Sequence, residues 1–324
     1  MVKLASAEMA EKKLATRAAF GATLAELAEE GVPVVAVDAD LTGSTTTKKF
    51  AAAAPENADK LFNCGIAEQN MIDVAAGLAL TGHVAYTGSF AVFGTGRAYD
   101  QIRNTVCYSN LDVKICPTHA GVSVGPDGGS HQMLEDVSLM RGLPNMRVLV
   151  PADYAAARAA IKLAAKTPGP VYVRMGRAAV PCVYDDDVEL ELGRAYVLRE
   201  GSDATVVACG VEIREALAAA DMLAEEGVSI EVIDAFSVKP LDEDTITASV
   251  AKTGCCVVAE EHSVHGGLGS AVAECLARKN PAPCEFVGVQ DRFGKSGEFE
   301  ELLGYFNLDA AAIVEAVKRA RGRK

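Results

Sequence analysis

Gly65-Ile66-Ala67-Glu68-Gln69-Asn70 decides how this chain is read, because it aims one carboxylate into a strand-to-helix junction. Lys60-Leu61-Phe62-Asn63 before it is a short apolar stretch, and residues 71–80 after it form an apolar run suited to a buried helix. Glu68 therefore falls at or near the first helical turn, where the positive helix end favours an anion. Capping alone would account for an isolated glutamate. Three further groups of residues argue for more.

At 324 residues the chain is long enough for two ordinary domains and a large core. Half of it is hydrophobic and its charged fraction is ordinary, which predicts a soluble globular protein. No apolar run approaches the ~20 residues needed to cross a bilayer, so no membrane association is expected. The N-terminus, with Glu8, Glu11, Lys12 and Lys13, does not read as a signal peptide. Nine cysteines, odd in number and without a C-x-x-C pair, predict reduced thiols in a cytoplasm rather than a disulfide framework or zinc site. Cys255-Cys256 lies in an apolar run and reads as core. A net charge of −13 argues against nucleic acid, and an anionic substrate would need a local cationic pocket.

Strand-like and helix-like runs alternate along the chain. Residues 7–30 read as a helix ending at Gly31, and 32–38 as a buried strand. Further strands are expected at 83–90, 113–119, 146–151 and 171–174, with helices at 96–109, 135–142 and 153–166. The acidic segment 184–191 reads as an interdomain linker or surface hairpin. A second alternation follows, with strands at 204–209, 229–236, 255–260 and 284–289. Its helices fall at 213–226, 243–252, 268–279 and about 309–319. The pattern predicts an α/β chain of two domains, 1–190 and 191–324, each a mostly parallel sheet with helices on both faces.

The second group is Thr87-Gly-Ser-Phe90-Ala-Val-Phe93-Gly-Thr-Gly96-Arg-Ala-Tyr99-Asp-Gln101. Glycines beside two phenylalanines at a strand end put aromatic faces where the backbone turns freely. Phenylalanines three apart can be core; Phe93 can equally offer a flat surface to a heteroaromatic ring. The third is Thr118-His119-Ala-Gly-Val-Ser-Val-Gly125-Pro-Asp127-Gly-Gly129-Ser-His131-Gln132. It gathers two of the five histidines, four glycines and an aspartate at a sheet edge, where open α/β folds bind ligands. A metal there would need another ligand from elsewhere, and no metal site is assigned. The fourth is Val171-Tyr-Val-Arg174-Met-Gly-Arg177, where an arginine at the strand's carboxyl edge can grip a phosphate bidentately. His262-Ser-Val-His265-Gly-Gly267-Leu-Gly269 reads as strand, glycine turn and helix start: an anion site or simply a tight turn.

Together, Glu68 in Gly-Ile-Ala-Glu-Gln-Asn, the spaced phenylalanines and Gly125-Pro-Asp-Gly-Gly-Ser-His131 resemble the transketolase family of thiamine-diphosphate enzymes. The resemblance covers essentially the whole chain but only the back half of a full-length transketolase: the pyrimidine-binding domain and the C-terminal domain. The family's Gly-Asp-Gly…Asn motif, which holds diphosphate and Mg²⁺, does not occur here. The chain thus looks like the C-terminal subunit of a split transketolase, with an N-terminal partner subunit binding most of the diphosphate and Mg²⁺, and with self-association as a dimer. The resemblance implies transfer of a two-carbon ketol unit between sugar phosphates.

Residue by residue, it implies that Glu68 hydrogen-bonds N1′ of the aminopyrimidine and shares a proton with it, a role best served by a buried carboxylate. Phe93 with Phe90 would enclose that ring, Ile66 would adjoin it, and Asp40 would lie near the thiazolium. The family's third aromatic position is Gly96 here, with Tyr99 as the candidate substitute. His119, Asp127 and His131 match contacts to the donor sugar, the two histidines moving protons, while Arg17, Ser44 and Arg177 match the sugar-phosphate grip. Two relatives compete within the cofactor class. 1-Deoxyxylulose-5-phosphate synthase carries arginine where this chain has His119. The β subunit of pyruvate-dehydrogenase-type enzymes shares the half-length layout but not the His-Asp-His set. A scaffold that lost its chemistry is the rival from another class.

Overall fold

Val34–Asp38 is apolar up to its final residue and buried along its whole length, as a strand covered on both faces must be. It pairs in parallel with Val84–Gly88 on one side and Leu61–Asn63 on the other. In this computed structural model, which describes residues 2–324, it lies within a seven-stranded sheet. Met1, where the expected absence of a signal peptide begins, lies outside the described residues. The strand order is Ser237–Lys239, Arg147–Leu149, Val171–Val173, Val113–Ile115, Val84–Gly88, Val34–Asp38 and Leu61–Asn63. All pairings are parallel except that of Ser237–Lys239, which runs antiparallel to Arg147–Leu149.

A second, five-stranded sheet follows in the order Cys284–Val289, Cys256–Ser263, Ala204–Ala208, Ile230–Asp234 and Tyr196–Arg199. Its last strand is antiparallel and the others parallel. Both sheets are flanked by helices, as the alternation of the sequence predicts. Ser237–Lys239 belongs by chain order to the second half yet completes the first sheet, so the halves share hydrogen bonds as well as side chains. Cys255 and Cys256 are fully buried, and none of the nine cysteines is paired.

Three expectations are corrected. The helix expected over 7–30 is interrupted: a single turn at Ala7–Ala10 and the helix Ala18–Glu29 flank Lys13–Ala15, a strand paired with Ala179–Pro181. Thr16 explains the break, since its hydroxyl accepts from the Gly176 backbone N–H at 2.8 Å and ties this segment to the far strand. The helix expected over 96–109 is replaced by π-helical turns at Val92–Arg97 and Ile102–Tyr108, with a short α-turn between. Gly94 and Gly96 weaken a regular helix there, and such widened turns recur at functional sites. The 184–191 segment is no loose linker. Tyr184 is fully buried and donates its hydroxyl to Asp234 at 2.6 Å, while Val188 and Leu190 join the core.

Of the two arginines after Val171–Val173, Arg174 belongs to the interior. It donates to Asp136 through Nε at 2.7 Å, and Tyr172 donates to the same carboxylate at 2.5 Å. Burial alone would strip both groups of charge, but each holds the other ionised: the Arg174 pKa is raised and that of Asp136 lowered. Replacing Arg174 with methionine strands a buried carboxylate. The variant should lose about 3–5 kcal/mol, read as a lower urea midpoint with an unchanged slope.

Candidate active site

Four parallel neighbours in the first sheet send their carboxyl ends to one edge. Val34–Asp38 leads to Asp40, Val84–Gly88 to Phe90, Val113–Ile115 to His119, and Val171–Val173 to Arg177. Side chains far apart in sequence thereby meet at the place where open parallel sheets bind ligands.

Glu68 is the first residue of the helix Glu68–Leu80 and is 1% exposed. Its Oε2 accepts from Arg97 Nη1 at 2.8 Å. The Arg97 guanidinium lies 4.7 Å from the centroid of Phe93, four residues earlier on the same turn. A buried carboxylate and an aromatic face thus bracket a planar cation. That corner suits a flat, protonatable nitrogen heterocycle and fits the aminopyrimidine implied by the resemblance. Arg97 was not expected as a site residue; its four-residue spacing from Phe93 was the available signal. Tyr99 is half-buried and packs against the core behind the turn.

Phe93 continues the site. Its ring stands 6.3 Å from that of Phe90 and 5.5 Å from His131, edge to face. His119 stacks on Phe90 with centroids 3.8 Å apart. The backbone at His119 has φ +62°, a left-handed conformation costly for a non-glycine residue and held by surrounding packing. Thr118 Oγ1 lies 2.7 Å from His119 Nδ1, which leaves Nε2 as the ring's remaining polar atom. Burial first, then the positive charges of Arg17 and Arg177 and the neighbouring His131, pushes this imidazole down from 6.5 to about 3. It is neutral at ordinary pH, able to give or take one hydrogen bond but not to act as a standing cation.

Arg17 caps the start of Ala18–Glu29 and donates to the Ser44 carbonyl at 2.7 Å. Burial and then the repulsion of Arg177 lower its pKa, with Asp127 opposing. Arg17, Arg177, His119 and Asp127 therefore share one electrostatic neighbourhood. Arg177 donates to the Val124 carbonyl at 3.1 Å, and Asp127 is exposed. Ser44 is turned to Arg17 through its backbone. Asp40, also exposed, exchanges two hydrogen bonds of 3.1 Å with Asn63, and Ile66 is 77% exposed. No group of three or more His, Cys, Asp or Glu side chains is placed to hold a metal ion among the described residues.

The glycine turn after His262 is not an anion site. Glu260 fills the helix start, accepting from Leu268 N and Gly269 N at 2.8 Å each. His262 is buried against the Ser263 carbonyl and the Ser138 N–H.

The displaced titration of His119 has a measurable sign. Below pH 6.5 the unfolded chain takes up a proton that the folded chain refuses until about pH 3. The stability due to a neutral His119 is complete above 6.5 and lost as pH falls through that window. A His119→Gln variant lacks this loss. The parent's urea midpoint should therefore fall more than the variant's between pH 8 and pH 5; parallel shifts would refute the neutral assignment.

Residues 12–183 match the transketolase pyrimidine binding domain and residues 193–313 the transketolase C-terminal domain. A putative transketolase C-terminal section of Methanocaldococcus jannaschii is 44% identical over 304 residues, covering 93% of this chain and 94% of that one. The 6-deoxy-6-sulfo-D-fructose transketolase subunit SqwH of a Clostridium species is 42% identical over 301 residues, covering 93% and 92%. A solved structure described as a split gene transketolase, inactive beta4 tetramer, superimposes with a TM-score of 0.87 at 48% identity, covering 96% of this chain and 99% of that one. This chain belongs to the transketolase family and carries its pyrimidine-binding and C-terminal domains.

Proposed function

We propose that this chain is the C-terminal subunit of a two-subunit, cytoplasmic transketolase that moves a two-carbon ketol unit from a ketose phosphate to an aldose phosphate. We place the domain division near residue 190. The observation that carries the reading is the corner formed by Glu68, Arg97 and Phe93, with His131 at its rim. Thiamine diphosphate, on which the family depends, supplies the electron sink for carbon–carbon cleavage when bound. In this reading Glu68 holds N1′ of its aminopyrimidine and shares a proton with it, taking over from Arg97 the contact that now satisfies Oε2. Phe93, with Phe90 behind it, gives the ring a flat wall; Ile66 and Asp40 lie at the outer margin.

On the substrate side, neutral His119 keeps one ring nitrogen for a sugar hydroxyl or a developing alkoxide, with Thr118 fixing its orientation. His131 and Asp127 border the same space. Arg177 with Arg17 and Ser44 supplies the cationic end. Diphosphate and Mg²⁺ are assigned mainly to an N-terminal partner subunit, and two copies of each chain make the simplest assembly. The similarity to a sulfo-fructose transketolase subunit favours a second substrate reading, in which the anionic end is a sulfonate rather than a phosphate.

Reconstitution with the partner tests the core of the proposal. Turnover should require both chains, thiamine diphosphate and Mg²⁺. Glu68→Gln should then lower kcat by at least ~10²-fold, because an amide touches N1′ without sharing a proton. Turnover by this chain alone would overturn the split assignment, and fast exchange of the cofactor's C2 proton in the variant would overturn the role of Glu68.

Arg177→Ala separates the substrate readings. A charge-assisted contact of ~1.5–3 kcal/mol corresponds to about a ten- to hundredfold loss in kcat/KM. That loss should fall on the phosphorylated sugar and spare its unphosphorylated analogue. A larger loss on the sulfonate would favour the second reading, and equal losses on all three would remove Arg177 from the anion grip.

A further inference from the structure

The segment carrying Asp127 and His131 is poorly suited to hold its own shape. Residues 121–132 include four glycines, three of them at positive φ: Gly121, Gly125 and Gly128. Glycine-rich backbone gains the most freedom when released, so something outside the segment must fix it. Its own domain supplies Arg177, donating to the Val124 carbonyl at 3.1 Å. Met133 and the rings of Phe90 and Phe93 add contacts from the same domain, and further restraints come from the C-terminal domain.

Glu261, at the carboxyl end of Cys256–Ser263, turns a fully buried carboxylate toward Ser123. One oxygen accepts from the Ser123 backbone N–H and the other from its hydroxyl, the latter at 3.1 Å. The carboxylate also fills the space where a Cβ at Gly121 would stand. Farther along, the Gln132 amide is clamped from both sides. Its Nε2 donates to Val122 O at 3.0 Å and to Lys295 O at 2.9 Å, while its Oε1 accepts from Lys295 N at 2.8 Å. A Cβ on Gly129 would lie 2.7 Å from the Gly294 carbonyl, so the two backbones touch only because neither residue has a side chain.

We propose that Glu261 and the Gly294-Lys295 backbone are positioning elements of the active site: the C-terminal domain sets the placement of the Asp127–His131 segment through Ser123 and Gln132. The side chains assigned to the site lie in one domain, and part of the restraint on their loop comes from the other. For its consequence in turnover, this inference rests on the function proposed above.

Amide hydrogen exchange and steady-state kinetics on the reconstituted two-subunit complex test it. Glu261→Ala should raise exchange at residues 122–131 by at least tenfold while leaving the strands of the first sheet protected. It should also raise the ketose KM at least tenfold, with a smaller change in kcat. Glu261→Gln is the rescue, because its carbonyl still accepts from Ser123 N and its amide can donate to a rotated Ser123 hydroxyl. It should return both readings to within a few-fold of the parent. Gln132→Ala, cut from the opposite side, should loosen the same residues and guards against a Glu261→Ala chain that fails to fold. Unchanged exchange at 122–131 in both alanine variants would overturn the proposal, as would equal loss of protection throughout the chain. Selective loosening in the alanine variants, beside a parent complex that shows no ketol transfer, would retain the positioning and reject the proposed function.

Discussion

Arg174 stands where three parts of the molecule meet. Its guanidinium is spread over the Asp136 carboxylate, the Met133 carbonyl at 3.4 Å and the Glu261 carbonyl at 2.9 Å. Arg174 itself follows a strand of the first sheet, while its acceptors lie at the start of the helix after the glycine-rich segment, just before that helix, and near the end of a strand in the second sheet. A planar group with five fixed donors can serve three acceptors in different directions, which an ammonium on a flexible stem cannot do as rigidly. Buried ion pairs seldom add net stability over apolar packing, but breaking one leaves a charge that the interior cannot solvate. The pair therefore acts as a constraint on arrangement, holding the two sheets and the intervening segment in one relation.

That relation gives the site its character. The parallel sheet brings Phe90, His119 and Arg177 to one edge, but closeness alone would leave a wet and mobile cluster. Stacking against Phe90 and the surrounding packing hold His119 in a strained backbone conformation and keep its ring neutral. At the neighbouring corner the balance is opposite: Glu68 is buried but meets the guanidinium of Arg97. One edge of one sheet thus presents a neutral hydrogen-bonding ring and an ion-paired carboxylate only a few side chains apart. Burial keeps the first neutral, and the second is met by one hydrogen-bonded guanidinium.

Much of the fold was legible in the sequence, for identifiable reasons. Strands such as Val34–Asp38 and Ala204–Ala208 are short apolar runs with turn signals, and buried parallel strands leave that mark. Glu68 and the histidine loop were legible because unusual residue types cluster in a short span. What escaped depended on distant partners. Lys13–Ala15 resembles the start of a helix until Ala179–Pro181 pairs with it. Tyr184 sits in an acidic run whose exposed look conceals a hydrogen bond to Asp234 from the other half of the chain. Arg174 and Arg177 have the same composition and setting, and only the topology makes one a buried strut and the other an edge residue.

The adjacent glutamates 260 and 261 show the same limit at the scale of one peptide bond. In sequence they are two acidic residues in an apolar strand, with nothing to rank them. A strand points successive side chains to opposite faces. Glu260 consequently turns into its own domain and closes the helix start at Leu268 and Gly269, while Glu261 turns outward to Ser123 in the other domain. The first satisfies backbone donors that any helix leaves open; the second satisfies donors that exist only once the two domains have met. A register shift of one residue would bring Ala259 or His262 to one of these two places, leaving either the helix end uncapped or the glycine-rich segment untethered. Paired neighbours on both sides fix the register only up to Ala259; Glu260 and Glu261 follow at an irregularity of the pairing with Cys284–Val289, so a local feature of the second sheet reaches directly into the geometry at the edge of the first.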